Sequence, residues 1–115
     1  MISWYLYILK GGPDKKSKKP LGDVATVMKH LNAAFPSIAW DSATEAKCAD
    51  KNFGLWMTVE KGLVQQVIVR VGQIRVKKLA GICKKEGWRL EDPDVEVEED
   101  VDLDDPDAWF VRMHG

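Results

Sequence analysis

Carboxylates are the most concentrated reactive groups in this sequence, and 11 of its 18 acids fall between Glu91 and Asp107. Residues 91–115 hold 11 acids and one base, a formal charge of −10, whereas residues 1–90 hold 7 acids and 16 bases, a formal charge of +9. An array of carboxylates speeds encounter with a cationic partner and selects against wrong partners. We therefore expect a basic protein to bind here. The candidate partner-binding residues are Glu98, Glu99, Asp100, Asp102, Asp104 and Asp105.

The same acids have other roles open to them. They could neutralise the protein's own basic helix surface, or keep an edge strand from pairing with other chains, because runs of charge are usually solvated surface. A calcium loop does not fit: with Asp100, Asp102 and Asp104 at ligand positions, Asp105 replaces the required glycine and Val111 the required glutamate. No metal site is predicted.

Clustered lysines suggest nucleic-acid binding as an alternative function, because phosphate contacts need grouped cations. The candidates lie on the outer surface of the second predicted helix and are Lys77, Lys78, Lys84 and Lys85. The acidic run and a sequence pI of about 6.1 argue against this alternative.

No catalytic or cofactor-binding residue is predicted. His30 is expected on a helix surface and His114 near a frayed terminus, and no nucleophile motif or phosphate-binding loop is present. Two cysteines without metal-binding spacing are expected to be reduced, with Cys83 buried. One enzymatic or ligand-binding alternative stays open, a pocket near Trp40 and Trp56 beside the long polar connection 41–52.

The length of 115 residues predicts one domain, 1–115, with a core that needs no disulfide or metal. The apolar opening segment is too short for a membrane span and lacks the features of a signal peptide, so a cytoplasmic protein without membrane contact is expected. A mobile basic loop is predicted at 14–20. The first helix should run from Asp23, its N-cap, to Ala34, because Pro36 follows. Extended segments are predicted at 2–9, 37–40, 53–59 and 63–71.

The last two of these segments form a hairpin closed at Gly62, which is free to adopt a positive φ. Simple alternation places Leu63 on the apolar face of the second strand, and Trp56 on the second face of the first. The second helix is predicted over 74–86, with Gly87 as its C-terminal cap. An alternation of valine and leucine with acids then predicts an edge strand or hairpin over 91–107, followed by an apolar patch at 108–111 that packs back on the body.

The resulting order, β-α-β-β-β-α-β, predicts an α+β fold with two helices on one face of a mixed, mainly antiparallel sheet. The chain also resembles a group of small uncharacterised bacterial proteins. The shared features are Trp4-Tyr5 in the opening strand, Ala34-Phe35-Pro36 followed by Trp40, and Cys83-Lys84 followed by Gly87-Trp88 and an Asp-rich strand. The resemblance spans most of the chain, and its residues are core and capping residues. It implies this fold and a bacterial origin, but no activity.

These expectations describe a cytoplasmic binding protein without catalytic residues, cofactor or metal. Its acidic surface would contact a basic protein as an immunity or inhibitor protein contacts a nucleic-acid-binding toxin. An exposed edge strand would also allow a homodimer.

Overall fold

The computed structural model describes residues 3–11, 18–42, 45–48, 53–95 and 100–114. It confirms the α+β class with a mainly antiparallel sheet. Within these ranges, eight strands and three helices follow one another as β1 (Ser3–Gly11), β2 (Lys18–Lys19), β3 (Gly22–Asp23), α1 (Val24–Ala34), β4 (Ile38–Trp40), β5 (Glu45–Cys48), β6 (Phe53–Glu60), β7 (Leu63–Gly72), α2 (Gln73–Glu86), β8 (Arg89–Glu91) and α3 (Pro106–His114).

The hairpin of β6 and β7 is the centre of the sheet. The strand order is β2-β1-β7-β6-β5-β4, with β8 paired to β1 and β3 paired to β7. Every pairing within the described ranges is antiparallel. Gly62 has φ +78° in the connecting turn, as the sequence predicted, and Lys61 also has a positive φ of 53°.

The core lies between one face of the sheet and the helices. It takes inward residues from the three longest strands, such as Leu6, Leu55 and Val69, all of them fully buried. Val27 and Leu31 of α1 and Leu79 and Cys83 of α2 cover that face, together with Trp109 and Phe110 of α3. Periodic apolar positions therefore become the helix-covered side of the sheet.

A β-bulge corrects the predicted facing of the start of β7. Thr58 pairs with Gln66 but Val59 pairs with Val64, so one extra residue stands in β7. An extra residue inverts the alternation of side chains beyond it. Val64 is therefore fully buried, and Leu63, expected on the apolar face, is 39% exposed.

The connection 41–52 was predicted without regular structure, and this is wrong for residues 45–48. These residues form β5, paired with both β4 and β6. The sequence Glu-Ala-Lys-Cys contains no β-branched or aromatic residue, so propensity gave no signal, and two neighbouring strands supply the hydrogen bonds.

The predicted edge strand over 91–107 is also wrong in its described part. The strand β8 ends at Glu91, residues 92–95 and 100–105 are turns or irregular, and Pro106 begins a third helix. Alternating apolar residues indicated a strand, but the Asp92 and Asp102 side chains accept hydrogen bonds from the backbone N–H groups two residues further on and favour turns instead. Part of this prediction, residues 96–99, lies outside the described residues, as do residues 14–17 of the predicted basic loop.

Both helix caps predicted from the sequence are present. The Asp23 carboxylate accepts a hydrogen bond from the Thr26 backbone N–H at 2.8 Å, which lowers the pKa of Asp23. Gly87 ends α2 in the left-handed conformation, with φ 72°. Within the described residues, no helix combines the length and apolar composition needed to cross a membrane.

Candidate functional site

The first candidate site is the acidic segment, residues 91–107. Glu98 and Glu99 lie outside the described residues. The other four predicted acids, Asp100, Asp102, Asp104 and Asp105, are exposed and lie together on the stretch that joins β8 to α3. Each of the four also makes a contact within the protein, which the sequence did not reveal for individual residues.

Asp100 is bound by Arg89 of β8. Its carboxylate accepts hydrogen bonds from Arg89 Nε at 3.0 Å and from Arg89 Nη2 at 3.1 Å. The same guanidinium donates from Nη1 to the Gly11 carbonyl at 3.1 Å and from Nη2 to Glu91 at 3.3 Å. The Asp100 hydrogen bonds raise the pKa of Arg89. Arg89 thus ties the acidic segment to the edge of the sheet.

The remaining three acids brace the chain entering α3. Asp104 forms a salt bridge with Lys84 of α2 that raises the pKa of that lysine. Asp102 accepts a hydrogen bond from the Asp104 backbone N–H at 2.9 Å, and Asp105 accepts one from the Ala108 backbone N–H at 3.2 Å. Asp105 is therefore placed as the N-terminal cap of α3.

Two buried residues hold this segment against the body. Val101 donates its backbone N–H to the Leu90 carbonyl at 2.8 Å and is 2% exposed. Trp109 is also 2% exposed and lies edge-on to Phe110 with ring centroids 5.2 Å apart. The sequence did predict that the final apolar patch packs back on the body. As a result, the carboxylates stand on an ordered backbone.

The basic surface of α2 is the second candidate. Lys77, Lys78 and Lys85 are exposed, while Lys84 bonds to Asp104. Lys78 and Lys85 line a shallow groove of about 320 Å³ between α1 and α2, which also contains His30 and Glu86. His30 Nε2 lies 3.3 Å from the Glu86 carboxylate and meets the Trp88 ring edge-on. The basic surface is thus smaller than the sequence suggested.

The structure places Trp40 and Trp56, near which a pocket was predicted, on opposite faces of the sheet. Trp40 is in register with Leu55 across β5, so both lie on the helix-covered face. Trp56 follows Leu55 and therefore lies on the opposite face. The Trp40 indole instead donates from Nε1 to the Asn32 side chain of α1 at 2.8 Å.

The face of the sheet opposite α1 and α2, here called the outer face, is a third surface that sequence reasoning missed. It carries a group of large side chains on the three central strands, Tyr5, Tyr7, Trp56, Ile68 and Arg70. Tyr5 is 48% exposed, and the other four are partly exposed. The available signal was the alternation of Tyr5 and Tyr7 with the buried Leu6 and Ile8.

The six-membered ring of Trp56 lies beside Gly54 of the same strand. A methyl group added at Gly54 would lie only 2.9 Å from the six-membered ring of Trp56, so the indole occupies the space above the glycine backbone. Tyr5 and Trp56 stack with ring centroids 6.5 Å apart and planes inclined by 26°. The two rings together form an aromatic platform on the outer face.

Neither a metal site nor a reactive thiol is indicated by the described side chains. No three of their histidines, cysteines and acids are grouped as a metal ion would require. Cys83 is buried in the core, and burial raises the pKa of its thiol to about 12. A neutral buried thiol packs as an apolar side chain and is a poor nucleophile.

Comparison of the chain with protein-family models, with curated proteins and with solved structures found no match.

Proposed function

We propose that this chain is a non-enzymatic protein-binding domain that contacts a basic protein through its acidic C-terminal surface, as an immunity or inhibitor protein does. The observation that carries the proposal is the order of that surface. Five exposed carboxylates, Asp100, Asp102, Asp104, Asp105 and Asp107, lie within eight residues of chain held by buried anchors. A surface ordered before binding loses less conformational entropy when a partner docks.

Internal contacts leave much of this charge available. Lys84 and Arg89 neutralise Asp104 and Asp100. Within the described residues, Asp102, Asp105 and Asp107 form no salt bridge. Asp102 and Asp105 accept hydrogen bonds from backbone N–H groups, which carry no formal charge, so these contacts orient the two side chains without pairing them to a cation. We expect the protein to act in the bacterial cytoplasm.

Charge removal that preserves the hydrogen bonds tests this proposal. The triple variant Asp102→Asn, Asp105→Asn and Asp107→Asn keeps an acceptor oxygen at each position. The matched control is Asp23→Asn, which changes an exposed helix-capping aspartate at the start of α1. Capture of a basic protein from lysate of the source organism should fall about tenfold or more in the triple variant at low salt, and depend less on salt. Equal capture by the triple variant and the wild type would refute the proposal.

Nucleic-acid binding by α2 is the second candidate, favoured by the three exposed lysines Lys77, Lys78 and Lys85. It predicts that a generic oligonucleotide binds with an affinity that falls steeply as salt rises. Replacing the three lysines by glutamine should abolish that binding. If the oligonucleotide binds in this way and no basic protein is captured, the second candidate replaces the first.

A further inference from the structure

We propose that the outer face anchors the same interface, and that Trp56 and Tyr5 form a platform on which an arginine side chain of the basic partner stacks. The inference rests on the proposed function, because it assigns a second, uncharged part of the contact to the same partner. An apolar centre with a polar rim is the usual anatomy of a protein interface, and Trp and Tyr supply much of the binding energy at such centres.

The position of the platform favours contact with a ligand. The helices α1 and α2 pack on the other side of the sheet, and Tyr5 keeps 48% of its surface exposed. Trp56 is also partly exposed, and its six-membered ring lies beside Gly54, which has no side chain to cover it. A planar group of the partner can therefore lie parallel to the ring.

The rim beside the platform is negatively charged. Glu91 of β8 pairs directly with Tyr7 of β1, and Arg89 pairs with Leu9, so β8 borders the outer face. Arg89 is bonded to both Glu91 and Asp100, and these three groups sum to a formal charge of −1. The outer face is thus continuous with the acidic segment through Asp100. A cationic partner can contact both.

Charge also distinguishes a basic protein from other occupants. The phosphates of a nucleic acid would lie against Glu91 and Asp100 at the rim, which disfavours a polyanion. A basic partner must place its cation over the rings or beside β8, and not over Arg70.

Arginine fits the platform better than lysine does. The guanidinium is planar and weakly hydrated, so it stacks on an aromatic face, whereas the ammonium group is compact and strongly hydrated. Tryptophan presents the most favourable aromatic face for a cation. The platform therefore adds a preference for arginine that carboxylates alone would not produce.

Titration calorimetry with two capped peptides, alternating arginine with glycine or lysine with glycine, tests this preference on the full chain. We expect the arginine peptide to bind the wild type about fivefold more tightly than the lysine peptide. Trp56→Leu and Tyr5→Ala should each remove most of that difference, while Trp56→Phe, which keeps a ring, should retain part of it. The control Trp40→Phe changes an indole on the other face and should leave the preference intact. Circular dichroism establishes that each variant is folded.

The acidic triple variant separates this inference from the proposed function. Neutralising Asp102, Asp105 and Asp107 should weaken both peptides alike and leave the arginine preference. If both peptides bind equally and Trp56→Leu changes nothing, the platform is refuted, although loss of protein capture in the triple variant would still support the proposed function. Failure of the wild type to bind either peptide also refutes the platform. Oligothymidylate binding that requires Trp56, or a dimer that dissociates in Trp56→Leu, would replace the basic protein by a nucleic acid or a second copy.

Discussion

The acidic segment and the outer face both carry conspicuous side chains, but the protein holds them in opposite ways. In the acidic segment the charged groups are exposed while the backbone is fixed by Val101, Trp109 and the Arg89 contacts. On the outer face the backbone is a regular sheet, and the aromatic side chains themselves are left at the surface. The first region is therefore part of the fold as well as a charged surface.

This difference shows that a dense run of charged residues in a sequence need not form an extended, solvated segment. A run of acids suggests an extended, solvated edge, yet here Asp100 and Asp104 bind the protein's own cations, and Asp102 and Asp105 hold turns and a helix start. Aromatic residues are commonly assigned to the core, yet Tyr5 and Trp56 remain accessible. Stability should depend on the first region, and a preference among partners on the second.

The largest contrast is expected between two tryptophans. Trp109→Ala removes a buried indole from the α3 anchor and should lower the free energy of unfolding by about 3–5 kcal/mol. Trp56→Leu on the outer face should lower it by roughly 1 kcal/mol or less, since its ring is partly exposed. Chemical denaturation of both variants measures the difference. Comparable losses would mean that the outer face is a structural surface like the core.

The next effect concerns the link between the acidic segment and the sheet. Arg89→Gln removes the donors to Asp100, Glu91 and the Gly11 carbonyl and should lower the free energy of unfolding by about 1–3 kcal/mol. Lys77→Gln, on an exposed position of α2, is the control and should change it by less than about 0.5 kcal/mol. If Arg89→Gln is as mild as the control in denaturation experiments, Arg89 does not tie the segment to the fold.

The sequence predicted the elements that have a periodic apolar pattern, and missed those that depend on contacts with other strands. Apolar periodicity located α1, α2 and the β6–β7 hairpin, because burial of one face dictates which residue types recur. The β-bulge reverses the facing of Leu63 and Val64. Both this bulge and the strand β5 depend on pairing with neighbouring strands, so the local sequence pattern does not predict them. The alternation of acids with apolar residues over 100–105 is typical of a strand. However, the Asp102 and Asp105 side chains accept hydrogen bonds from backbone N–H groups, which favours a turn and a helix start instead.

The candidate sites, like the secondary structure, were predicted where the signal is local and missed where it depends on distant residues. Charge counts located the acidic segment without showing that Lys84 and Arg89 bind it, because both contacts join residues more than ten positions apart. The outer face was missed because the alternation of Tyr5 and Tyr7 with Leu6 and Ile8 does not show which side of β1 the helices cover. β1 pairs with β7 on one edge and with β8 on the other, and among the described residues α1 and α2 cover the face that carries Leu6 and Ile8.

A pH-dependent effect is expected from Cys83, a fully buried residue of α2. Burial raises the pKa of the folded thiol to about 12 from an ordinary value of 9.0, so the folded state keeps a proton that the unfolded state loses. The contribution of Cys83 to stability is then complete below pH 9 and declines as the pH rises toward 12, by up to about 1.4 kcal/mol per pH unit. Denaturation of wild type and Cys83→Ala from pH 8 to about 11 measures this slope. Identical slopes would show that the thiol is accessible to water.

The smallest effect tests the role of Asp105 as a cap. Asp105→Ala removes the acceptor for the Ala108 backbone N–H and should lower the free energy of unfolding by about 1 kcal/mol, whereas Asp105→Asn should cost little. The pair Asp23→Ala and Asp23→Asn provides the comparison at α1. Should Asp105→Asn destabilise as much as Asp105→Ala, the charge of Asp105 and not its hydrogen bond would matter for the fold.

Site-specific photocrosslinking tests most directly whether the outer face contacts a basic protein. A photoreactive residue at Thr58, exposed on the outer face beside Trp56, is compared with one at Ala25, exposed on α1. In lysate of the source organism, we expect Thr58 to crosslink to a basic protein that Ala25 does not reach, and the yield should fall in the acidic triple variant. Crosslinks to the same proteins from both positions, or an unchanged yield in that variant, would contradict the assignment of this surface.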